Sequence, residues 1–113
     1  MDGGVEQVRI GALRHRVTFQ RLTVTQDDYG GTVKSWVDHA TVWAVVEYLS
    51  GRELWQAQQA NSEASGRVRI RHREDIEPTM RIVHGSKYLE IITVLPVDSK
   101  DREMHLLFKE ALD

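Results

Sequence analysis

T-V-W-A-V-V-E-Y-L-S-G-R-E-L-W-Q-A-Q-Q-A-N-S-E-A-S-G-R-V-R-I-R-H-R, residues 41–73, reads as strand, helix and strand in succession. In the first segment Trp43 and Val45 alternate with Val42, Ala44, Val46 and Tyr48, apolar on both sides, as expected of a strand buried between layers or inside a small barrel. Ser50 then precedes Glu53 at the capping-box spacing, with Gly51 and Arg52 unremarkable at the first two helical positions. The helix has Leu54 and Trp55 early, but continues Gln56, Ala57, Gln58, Gln59, Ala60, Asn61, so it cannot bury a wide hydrophobic stripe. The sequence therefore predicts an excursion from a β body over residues 49–66, the kind of loop on which small domains carry function. In the last segment Val68 and Ile70 alternate with Arg67, Arg69, Arg71 and Arg73, giving one apolar face and one arginine face.

Working outward, residues 1–11 hold three glycines and scattered charges and read as an extended N-terminal arm. Leu13 to Leu22 alternates, with Leu13, Val17 and Phe19 on one face. Q-D-D-Y-G-G at 26–31 closes a hairpin onto a partner strand at 33–38 that carries Trp36. Downstream, E-D-I-E-P-T at 74–79 is a loop containing Pro78. Strands at 80–84 and 87–95, joined by Gly85-Ser86, supply Ile82, Leu89, Ile91, Ile92 and Val94 to the core. Residues 96–101 turn the chain into a last strand at 103–109, with Met104, Leu106, Leu107 and Phe108. The expectation is a mainly β fold: one small β-barrel or sandwich domain over 12–113, with one helical insertion between central strands and the arm in front.

Composition narrows the function classes. No cysteine among 113 residues excludes a disulfide framework, thiolate-bound zinc and thiol chemistry. Fifteen Lys and Arg against 17 acids give a formal charge of -2, which is not that of a general nucleic-acid binder, so basic character must be local. M-D-G-G-V-E-Q-V lacks the basic and then apolar regions of a signal peptide, and no apolar run is long enough to span a membrane. His15, His39, His72, His84 and His105 show no ligand-pair spacing, so neither metal nor cofactor is expected. The glycine pairs at 3–4 and 30–31 lack the context of a phosphate loop, and no serine sits in a nucleophile elbow. Asp27-Asp28 and Glu74-Asp75 read as turn residues.

Two features ask for a partner. The arginine face is either paired with acids on a neighbouring strand or meets DNA phosphates or an acidic protein surface. The uncharged polar helix surface of Gln56, Gln58, Gln59 and Asn61 is either a solvated face or one that packs against copies of itself around a symmetry axis.

Several blocks in order, G-A-L-R-H-R-V-T-F-Q-R at 11–21, D-D-Y-G-G-T-V-K-S-W-V-D at 27–38, A-T-V-W-A-V-V-E-Y-L-S-G-R-E at 40–53, A-Q-Q-A at 57–60 and R-V-R-I-R-H-R at 67–73, resemble the phage head–tail joining, or head-closure (stopper), protein family of long-tailed phages and prophages. The likeness continues through I-E-P-T-M-R-I-V-H-G at 76–85, Y-L-E-I at 88–91 and R-E-M-H-L-L-F-K-E at 102–110. Phe108 stands where a cysteine is common in relatives, and the first ten residues have no counterpart. The resemblance implies a non-enzymatic barrel subunit, made in the bacterial host cytoplasm, that docks under the portal and adaptor protein once DNA is packaged. It implies a ring of about twelve copies that retains the double-stranded genome and offers the attachment surface for the tail terminator or another tail protein, with no membrane involved. It places Arg52, Glu53, Gln56, Gln58, Gln59 and Asn61 at the channel or the neighbouring subunit. Arg67, Arg69, Arg71 and Arg73 are then the candidate docking set for the adaptor or a neighbour. The alternative is a small nucleic-acid-binding barrel using strand 67–73, although only His72 there offers a ring for stacking. A histidine-based hydrolase has no nucleophile–base pair to stand on.

Overall fold

The structure, a computed structural model, describes residues 15–95 and 102–111. It contains strands β1 (His15–Gln26), β2 (Thr32–Tyr48), β3 (Gly66–Arg71), β4 (Arg81–His84), β5 (Lys87–Leu95) and β6 (Glu103–Ala111), with helix α1 (Gly51–Ala60) between β2 and β3. Neighbouring strands are antiparallel and close in the order β1-β2-β3-β6-β5-β4. The mainly β expectation resolves to a barrel rather than a sandwich. The arm at 1–11, Leu13 and the turn at 96–101 lie outside the described residues.

Alternation fills the lumen. Val17 and Phe19, Ala44, Val68 and Ile70, Ile82, Leu89 and Ile91, and Met104, Leu106 and Phe108 form one buried cluster. Each large aliphatic side chain fully withdrawn from water there stabilises the fold by about 1.5–3 kcal/mol. Ile76 and Met80, from the loop before β4, join the same cluster. The loop was legible as a loop, but not its buried isoleucine.

Residues 33–38 and 41–49, expected as two strands, are one 17-residue strand, β2. No turn-forming pair stands between them, and the apparent break is a bulge. Phe19 faces Ala40 while Gln20 faces Asp38, leaving His39 as the extra residue. A second bulge takes Ile92, since Ile91 faces Phe108 and Thr93 faces Leu107. Ile92 is therefore only half-buried, and Val94 returns to pack on the core.

The expectation that β2 is buried on both faces fails at Trp43, which is 50% exposed because, among the described residues, no second layer covers the outside of the barrel wall there. Its ring is covered instead by the Arg16 guanidinium, 4.9 Å from the centroid. The capping box does not form either. Ser50 has the extended backbone of an N-cap (φ -148°) but makes no side-chain cap bond. Gly51 adopts φ +57°, a left-handed turn that suits glycine, and redirects the chain where a regular first turn would present its N–H groups.

β1 meets β4 only at Thr18–Gln20, and β2 meets β3 only at Val45–Tyr48. The ladder between β1 and β2 continues past the barrel to Gln26 and Thr32. Residues 21–37 thus form a two-stranded ribbon standing roughly 20 Å beyond the barrel wall at about 3.4 Å per residue. Its turn is fastened by Asp27, whose Oδ1 accepts N–H bonds from Tyr29 (2.9 Å) and Gly31 (2.8 Å). Gly30 supplies φ +83°.

Candidate functional site

The insertion leaves the barrel through a clamped neck: Leu49 N–H donates to Ser65 O (3.1 Å) and Ser65 N–H to Phe108 O (2.8 Å). Helix α1 has no buried residue, as its polar sequence demands. Glu53, Gln56, Ala57 and Ala60 recur at helical spacing and face the barrel. With Leu49, Arg67, Leu95 and Leu107 they line a shallow cleft of about 340 Å³. Gln58 Nε2 donates to Ala64 O (3.2 Å), and Asn61 closes the helix, its N–H bonded to Ala57 O and its Oδ1 to Glu63 N–H (2.9 Å). Of the six insertion residues singled out from sequence, Glu53 and Gln56 face the cleft, and Gln58 and Asn61 brace the loop. Arg52 and Gln59 point outward. They share that face with Trp55, which is 63% exposed. Sequence reasoning passed over Trp55, and the available signal was a lone large aromatic in a run of amides.

The arginines separate. Arg67 donates through Nε (3.2 Å) and Nη2 (3.1 Å) to Glu47 Oε1, and its Nη2 also lies 3.8 Å from Glu53 Oε2. Arg69 Nη2 donates to Glu47 Oε2 (3.1 Å). One β2 carboxylate, opposite Arg67 in the register, thus holds two guanidinium groups. Arg71 is exposed and has no ion pair among the described residues. Arg73 lies past the end of β3 and forks onto Asp75, Nε–Oδ1 2.9 Å and Nη2–Oδ2 2.8 Å. The structure therefore does not gather Arg67, Arg69, Arg71 and Arg73 into one open basic face. The paired alternative describes Arg67 and Arg69.

Asp75 Oδ2 also meets His39 Nε2 at 2.9 Å, which ties the loop of residues 72–80 to the β2 bulge. The Arg73 hydrogen bonds, helped by His39, bring the Asp75 carboxyl down to about 2. A depressed carboxyl contributes stability above its unfolded value near 4 and loses it as pH falls toward 2. Asp75→Asn is therefore expected to flatten the fall in melting temperature between pH 4 and pH 2 by a few degrees, as scanning calorimetry would show. An identical slope in both proteins would remove this latch.

The other histidines do not converge. His15 and His84 meet edge to face with centroids 5.0 Å apart, His105 meets Glu103 at 2.9 Å, and His72 is exposed. No group of three His, Asp or Glu side chains placed to hold a metal occurs among the described residues.

One more surface escaped the sequence reading. On the ribbon and its base Leu22, Val24 and Val33 are 42%, 56% and 44% exposed, and Tyr29 at the tip is 96% exposed. At the base the Arg81 guanidinium lies between the Trp36 and Tyr88 rings, 4.4 and 4.0 Å from their centroids, while its Nε donates to Gln20 Oε1 (2.8 Å).

These features define a class: a small closed antiparallel barrel that is distinguished by its appendages, a clamped polar helix and a protruding ribbon. The chain belongs to the phage head completion protein family, whose model matches residues 8–111. It is 28% identical to head completion protein gp16 of Bacillus phage SPP1 over 67% of this chain and 70% of that protein. To head completion protein gp7 of Enterobacteria phage HK97 it is 32% identical over 64% of each chain. Among solved structures, protein SF1141 from Shigella flexneri 2a superposes with a TM-score of 0.73 at 34% identity, covering 91% of this chain and 96% of that one. A chain from the virion of a native gene transfer agent particle shares the fold at 16% identity, with a TM-score of 0.63 over 95% of this chain and all of that one. The family resemblance read from the sequence blocks thus holds, and with it a structural role in completing the phage head.

Proposed function

We propose that this protein is a head-closure connector, without catalytic activity, that forms a ring of copies beneath the portal and its adaptor after packaging. The ring helps retain the double-stranded DNA and gives the tail its attachment surface. The observation that carries this reading is the insertion: a helix too polar to be core, clamped at its neck and exposed along its outer face, on a chain of the head completion family. Its outward face of Arg52, Trp55 and Gln59 suits the channel or a neighbouring subunit. Among the four arginines, Arg71 is left as the docking contact to an acidic surface, because Arg67, Arg69 and Arg73 already face carboxylates. The same pairing weakens the nucleic-acid-binding alternative, since the strand offers DNA little uncompensated charge.

The test is electron microscopy of particles from a phage or prophage deleted for this gene, with and without the protein supplied in trans. Heads that leak DNA beside unattached tails, both rescued by the protein, are expected. Joined, DNA-filled particles without it would overturn the reading.

A further inference from the structure

An isolated two-stranded hairpin is marginal in water and gains stability from a third strand or a covering surface. The ribbon has neither among the described residues. β4 leaves β1 beyond Gln20, and β3 joins β2 only from Val45, so both edges of the ribbon present free backbone groups. Such an edge is a template for strand addition unless it is protected. Here proline is absent, no bulge lies beyond His39, and apolar side chains stand in the open.

We propose that the ribbon is an interface between copies of this chain, in which the β1 edge of one ribbon pairs with the β2 edge of the next. This rests on the ring reading above and adds the surface that joins the subunits. Direction is the first argument. β1 runs from the barrel to the tip and β2 runs back, so ribbons standing side by side with tips aligned, as rotation about a ring axis requires, bring β1 and β2 together antiparallel. Each copy then uses both edges, and the contact is head-to-tail and closes into a ring. The order of charges is the second argument. From barrel to tip, β1 and its turn carry Arg21 and then Asp27 and Asp28, whereas β2 carries Asp38 and then Lys34. Side by side with tips aligned, the two edges oppose unlike charge at both ends. With tips opposed, a β1 edge beside a β2 edge would set Arg21 toward Lys34 and the turn acids toward Asp38. In that arrangement Leu22 and Val24 on one face and Val33 on the other each gain cross-strand neighbours from the adjoining copy.

The register within the ribbon tells which residues share a face: Thr23 and Thr25 with Ser35 and Val33. The natural chain has no cysteine, so every thiol on it is an introduced one and a dimer of this chain joined by a disulfide reports on this contact. T25C and V33C proteins are made separately, mixed, and supplied together to particles lacking the natural protein. T23C with S35C is a second pair in case the first disturbs the ribbon, and T25C with S35C covers a shift in register. Mild oxidation is expected to give mixed β1–β2 disulfide dimers in joined particles and at least tenfold fewer dimers with either variant alone. Disulfides within a single variant would show a two-fold contact with tips opposed and overturn the proposal. So would a benzophenone coupled to the T25C thiol that attaches only to a different virion protein. Joined, DNA-filled particles without any mixed disulfide would remove the ribbon contact and leave the ring reading standing. Particles that join without this chain would remove the ring reading itself.

Discussion

Gly66→Ala is expected to destabilise the barrel by about 3 kcal/mol, read as a lower urea midpoint with little change in slope. Gly66 sits in the sheet between Tyr48 on β2 and Phe108 on β6. A methyl group at that position would run into the Glu47 carbonyl oxygen and come 2.5 Å from Phe108 Cζ. Neither can yield. The carbonyl belongs to the β2 backbone, and the Phe108 ring is fully buried, held edge-on by Tyr48 with centroids 5.5 Å apart. Phe108→Ala should itself cost about 3–5 kcal/mol through the cavity it leaves. Because the two changes share one space, the double variant should lose less than the sum of the singles. Strict additivity, or a Gly66→Ala protein within about 0.5 kcal/mol of the parent, would show that the ring is not seated over that glycine.

Glu47→Gln is expected to act on stability and on surface charge together. It removes the carboxylate shared by Arg67 and Arg69, whose side chains are only 28% and 16% exposed, and takes one negative charge from between two part-buried cations. Breaking such an arrangement from one side should cost about 2 kcal/mol, less than a fully buried pair because Glu47 is itself 34% exposed. It also uncovers the basic face that the wild-type chain neutralises. Binding to a double-stranded DNA probe at low salt should rise several-fold, with a steeper salt dependence. If melting and DNA binding both match the parent, Glu47 does not set the charge of this face.

The strands, the helix and the family resemblance were legible because alternation with period 2, turn residues and block order are local signals. What escaped depended on where the chain goes in space. T-V-W-A-V-V reads as apolar on both faces whether its outside meets a second layer or an arginine, so Trp43 looked like core. The alternation of Arg67, Arg69, Arg71 and Arg73 was read correctly as a pattern, but no pattern in that strand reveals that Glu47 lies opposite Arg67 across β2 and β3. Ser50 and Glu53 have the spacing of a capping box, and Gly51 between them overrides it through a single backbone angle. The hairpin at 21–37 was expected in kind. That it outruns its neighbours and stands apart follows from the shortness of β4 and of the β2–β3 pairing, which no residue in the hairpin encodes.

The extra residue at His39 has an evolutionary consequence. Side chains on β2 alternate, so one unpaired residue reverses which of them look outward on its two sides: Trp36 shares the outer surface with Gln20 and Arg81, while Ala44 fills the lumen. Losing that one codon would leave Asp38 opposite Gln20 and Trp36 opposite Leu22, so the ladder would close with the same side chains on the outer surface and every lumen position from Ala44 onward untouched. A lineage could therefore gain or lose a residue at that one site without renegotiating either the core or what the ribbon shows the outside world.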